Sequence, residues 1–73
     1  MDREEKLMEE LIKTAKKRKY SRYELEMIFT IVMSKLAEKL GYSSEEGLEL
    51  AIEKVKTNEN GRDCINALIE IIK

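Results

Sequence analysis

Apolar residues recur at helical spacing along nearly the whole chain, and polar signals punctuate them. Leu7, Met8, Leu11, Ile12 and Ala15 fall on one side of a helix, which predicts a first helical segment from Arg3 to Lys19. Asp2 can cap its start, and Lys16 to Lys19 occupy a last turn where positive charge suits the helix dipole. A second segment, Arg22 to Leu40, carries Leu25, Ile28, Phe29, Val32, Met33, Leu36 and Leu40 on a wide apolar face. Ser21 and Glu24 match a capping box at its start, and Gly41 supplies a left-handed stop. Tyr23, Met27 and Ile31 form another stripe on the opposite side, beside the small residues Thr30 and Ser34. A third segment, Ser44 to Thr57, follows the capping box Ser43–Glu46 and has a narrow stripe of Leu48, Ala51, Ile52 and Val55. Gly47 is expected to weaken its first turn by about 1 kcal/mol relative to alanine. After the loop "TNENG", a fourth segment from Gly61 to Ile72 has Asn60 as N-cap and Cys64, Ile65, Leu68, Ile69 and Ile72 as its main stripe, widened by Ala67 and Ile71.

These segments predict an all-α fold: one domain over residues 1–73, a compact bundle of four short helices with the second at its centre. Short connections suggest that helices adjacent in sequence pack on each other, several of them antiparallel. A core of this size is near the lower limit for independent folding. The single cysteine, Cys64, forbids an internal disulfide, and the absence of histidine removes the usual zinc ligands. A partner subunit is the remaining common support. With apolar residues on two faces of the second helix, a homodimer is expected, its contact face Tyr23, Met27 and Ile31.

Composition then narrows the location. Fourteen basic and 15 acidic residues leave a net charge of −1, which favours neither nucleic acid nor an anionic membrane. The longest apolar run, "MIFTIVM", is far too short to span a bilayer, so no membrane association is expected. The opening "DREEKLMEE" has no apolar signal-peptide core, and a lone unpaired cysteine suits a reducing compartment. A cytoplasmic protein is expected.

Charge is nevertheless segregated. "KTAKKRKYSR", Lys13 to Arg22, holds Lys13, Lys16, Lys17, Arg18, Lys19 and Arg22 and no acid. Capping accounts for most of these, but a run without an acid is more than capping needs, and Tyr20 and Tyr23 within it could stack on unpaired bases. The run is therefore the candidate nucleic-acid or anion contact. "LAEKLGYSSEEGLEL", Leu36 to Leu50, resembles the helix-turn-helix pattern of DNA-binding repressors: Ala37 and Gly41 stand where the small residue and turn glycine fall, and Leu36, Leu40, Tyr42 and Leu50 where apolar groups do. It departs from the pattern at Gly47, where a core aliphatic belongs. Its would-be recognition helix carries Glu45, Glu46, Glu49 and Glu53, which would repel phosphates.

Catalytic chemistry has little to draw on. Without histidine, neither a Cys–His pair nor a Glu-x-x-His di-metal site exists, and Glu46, Glu49 and Glu53 read as a solvated face. Cys64 reads as a small core hydrophobe. No catalytic residue, metal or cofactor is expected. The sequence points to a non-enzymatic protein–protein interaction module, a regulator, adaptor or inhibitor. The alternative is a nucleic-acid-binding regulator that uses the basic run of residues 13–22.

Overall fold

The computed structural model describes residues 2–73 and contains only helices among them. Helix α1 spans Arg3–Lys17, α2 Arg22–Thr30, α3 Leu36–Leu40, α4 Ser44–Thr57 and α5 Gly61–Ile72. A π-helical segment, Ile31–Lys35, joins α2 to α3, so residues 22–40 form one continuous rod. The all-α class and the four-segment layout are as the apolar periodicity predicts.

Local chemistry sets most boundaries. Asp2 accepts the Glu5 N–H at 2.8 Å. Both capping boxes close: the Glu24 side chain accepts the Ser21 N–H at 2.8 Å, the Glu46 side chain accepts that of Ser43 at 2.8 Å, and each serine accepts in return at 3.1 Å. The Ser43 N–H also holds the Glu46 carboxyl below its ordinary range. Asn60 caps α5 by accepting the Asp63 N–H at 2.9 Å.

Helix α1 stops at Lys17, two residues before the expected end. Lys19 turns left-handed (φ 62°), and its N–H donates to Lys16 O at 2.9 Å while that of Tyr20 donates to Ala15 O at 3.0 Å. This is a Schellman ending, which normally places glycine where Lys19 stands. Tyr20 and Ala15, the apolar pair such an ending brings together, are both buried.

The packing order departs from the sequential one. Helix α1 packs mainly on α4, and the two run in the same direction. Arg3 reaches Glu45 and Glu49 near the start of α4, whereas Glu10 meets Lys56 near its end. On its other side α4 packs against the rod and α5. Gly47 lies where α4 crosses the rod: a Cβ there would sit 3.0 Å from Val32 Cγ1. The glycine is thus a contact point rather than only a weak spot. The rod and α5 run parallel, since Gly61 abuts Glu24 at one end and Ile72 lies by Lys35 at the other. Leu11, Ile28, Val32, Leu36, Leu48, Val55, Cys64 and Leu68 fill the centre with negligible exposure.

The π segment re-aims the rod. The Leu36 N–H donates to Ile31 O, five residues back. This wider turn lags behind regular α-helical rotation and brings Leu36 into line with Ile28 and Ile31. An unbroken helix would set Leu36 on the side of Met33 and Leu40. Two expectations are corrected together. Ile31, read as outward-facing, is 4% exposed, whereas Met33 and Leu40, read as core, are 38% and 41% exposed.

Candidate functional site

The basic run divides by role. Arg18 is half-buried and its guanidinium donates to Lys56 O, closing the C-terminal end of α4. Arg22 pairs with Glu26 one turn on, at 3.2 Å. Tyr20, which the sequence offered as a stacking ring, is buried. Its hydroxyl donates to Asn58 O and lies 3.4 Å from Val55 O. Arg18 and Tyr20 thus tie the end of α1 to the C-terminal end of α4, whereas the exposed Arg22 is paired only within its own helix.

The exposed lysines of the run are Lys13, Lys16, Lys17 and Lys19. Among the described residues none of the four has an ion-pair partner within 4 Å. Lys13, Lys16 and Lys17 line a shallow hollow of about 540 Å³ with Glu10 and Thr14. An adjoining hollow of about 370 Å³ shares Thr14 and Lys17 and adds Arg18 and Lys56. Lys56 is the member that sequence reading missed. The signal was its place in the last turn of the third segment, but only the parallel pairing of α1 and α4 brings two basic helix ends together.

The predicted self-association face lies along the seam between the rod and α5, but not as one stripe. Ile31 forms the floor of a groove of about 330 Å³, with Met27 and Thr30 on one wall and Ile69 and Ile72 on the other. Lys35 and Lys73 stand at one end. Ile69 is 39% exposed. Tyr23, 69% exposed, belongs to a separate hollow of about 290 Å³ beside Arg62 and Ile65. The periodicity of the fourth segment places Ile69 and Ile72 on its main stripe. Their signal was an apolar arc on the fourth segment too wide for one neighbour.

Burial pushes the Cys64 thiol up to about 11, away from the thiolate that a nucleophile needs. Burial also raises the phenol of Tyr20, which lies beside it. On α4, the would-be recognition helix, Gly47, Leu48, Ala51, Ile52 and Val55 are all buried against neighbouring helices. Of its exposed carboxylate face, Glu45 and Glu49 hold Arg3 at 2.5 and 2.6 Å. No three His, Cys, Asp or Glu side chains among the described residues gather as a metal site. No described helix is long and apolar enough to cross a membrane. No family model, curated protein or solved structure matched the chain.

Proposed function

We propose that the protein is a small non-enzymatic protein–protein interaction module, a cytoplasmic regulator or adaptor, and that its working surface is the groove between the rod and α5. The observation that supports this reading is the groove itself: an apolar channel with Ile31 as floor and Ile69 exposed, on a chain whose remaining surface is dominated by charge.

The occupant we infer is a second copy of the chain. The outer face of the rod is self-complementary. It has small Thr30 and Ser34 beside Met27, an acid (Glu26) before them and a base (Lys35) after them. Let two rods cross antiparallel between Thr30 and Ile31. Each Glu26 then lies opposite the partner rod's base at position 35, and each Met27 opposite a small serine. Such a contact is isologous, as twofold dimers require. Light scattering across the micromolar range should give twice 8.6 kDa. Met27→Glu should return the mass to 8.6 kDa with the helical circular dichroism intact. A strict monomer for the native chain would overturn the proposal.

A further inference from the structure

We propose a second binding surface, independent of the groove: the basic end shared by α1 and α4 binds the phosphate backbone of nucleic acid without reading its sequence. Lys13, Lys16, Lys17, Arg18 and Lys56 converge on two adjoining hollows around Thr14, although residues 17 and 56 are far apart in the chain. Convergence follows from the parallel run of α1 and α4, whose last turns both carry lysines. Glu10 is the one acid lining these hollows, and it is engaged by Lys56 at 3.4 Å. Lys13, Lys16 and Lys17 therefore present uncompensated charge on a chain whose net charge is −1. Lys19 adds to them from a left-handed backbone position that favours glycine.

The type of contact follows from which groups are already engaged. Reading bases would draw on a free guanidinium fork or an open aromatic ring. Around the two hollows, Arg18 is committed to Lys56 O, Tyr20 is buried with its hydroxyl bonded to Asn58 O, and the exposed ring of Tyr23 lies in a separate hollow beside Arg62. What remains is lysine, a flexible point charge that suits phosphate and carries no sequence information. A lipid surface fits less well, because peripheral membrane contacts add inserted apolar side chains. The exposed large apolar residues Tyr23, Met33, Leu40 and Ile69 line neither hollow. An acidic protein partner fits less well too, since protein interfaces are depleted in lysine.

Neutralising about four phosphates gives an affinity that falls about 100-fold between about 50 and 200 mM salt. The test is fluorescence anisotropy with two DNA duplexes of unrelated sequence at these salt concentrations, and flotation of vesicles rich in anionic lipid as the competing arm. The native chain should bind both duplexes with similar affinity and show that salt loss. The triple variant Lys13→Gln, Lys16→Gln, Lys17→Gln should lose most of the affinity, and its salt slope should fall by about 3. Arg22→Gln, which removes a charge already paired with Glu26, should bind like the native chain. Absence of binding by the native chain at the lower salt would sink the proposal, whatever the variants do. So would an unchanged triple variant, a strong preference for one duplex, or binding to vesicles in place of DNA. None of these outcomes bears on dimer formation, which is measured separately.

Discussion

Lys19 holds a backbone conformation that costs a non-glycine residue about 1–2 kcal/mol and that the Schellman ending of α1 requires. Lys19→Gly relieves that cost but adds entropy to the unfolded chain, leaving a net gain of about 0.5–1 kcal/mol in urea denaturation. If the basic end grips phosphates, the same change should weaken DNA binding severalfold, separating stability from affinity in one variant. A neutral or destabilising Lys19→Gly would mean that the lysine side chain compensates locally. Next along the chain, Tyr20 and Cys64 share a buried pocket, and both are held protonated beyond their ordinary values of 10.0 and 9.0. A raised folded value means that the unfolded chain releases its proton first. The stability from Cys64 is complete below about pH 9 and is lost as pH climbs through about 11, whereas that from Tyr20 is complete below about pH 10 and is lost at still higher pH. Urea midpoints should therefore fall across that interval. In Cys64→Ala they should fall less steeply, keeping only the share that belongs to Tyr20.

Between elements, close approach decides as much as propensity does. Gly47→Ala should gain about 1 kcal/mol of helix propensity. The new Cβ would lie 3.0 Å from Val32 Cγ1 and 3.3 Å from Val32 O, and a backbone oxygen inside the rod cannot step aside. Overpacking of this kind costs about 1–3 kcal/mol, so urea denaturation should show a net loss of about 1 kcal/mol. Ser43→Ala, which breaks a capping box on the same helix, should lose about 1 kcal/mol by a different route. The boxes at Ser21 and Ser43 were legible in the sequence because a cap is a local contract between residues three apart. So were the number of helices, the stop at Gly41, the N-cap at Asn60, and the burial of Cys64. The phase of the rod was not. Nothing in "IVMSK" names a π turn, because the turn forms where packing on α4 and α5 pulls Ile28, Ile31 and Leu36 into one line. The pairing of α1 with α4 escaped as well, and with it the arrival of Lys56 beside Lys17. Long-range packing chooses that partner, whereas short connections suggest the sequential one. The basic run was visible. Its division into structural groups (Arg18, Tyr20) and free lysines required knowing what lay opposite each.

At the scale of the molecule, the accessible surface of 4830 Å² is close to the ~4,700 Å² expected of a compact monomer of 8.6 kDa. The radius of gyration, 11.0 Å, matches the ~11 Å of a folded domain of this length. The single chain has already buried what its mass allows, so a second copy would cover a finished fold rather than complete one. Dilution should then dissociate the dimer into monomers that keep their helical circular dichroism, and the thermal midpoint should depend only weakly on concentration. The surfaces are also separated. The groove lies on the rod–α5 side and the free lysines on α1, across α4, so pairing through the groove leaves two basic ends exposed per dimer. The register of the pairing can be tested by charge alone. In the proposed antiparallel crossing, Glu26 would face position 35 twice per dimer, once for each copy. Glu26→Lys or Lys35→Glu alone sets like charges opposite each other at both places. An exposed pair contributes up to about 1 kcal/mol, so each single reversal should weaken the dimer about tenfold or more by sedimentation equilibrium. The double variant Glu26→Lys, Lys35→Glu restores opposite charges at both places and should recover most of the loss. Recovery would fix the crossing between Thr30 and Ile31. Additive losses, with no recovery, would show that the rods do not meet in that register.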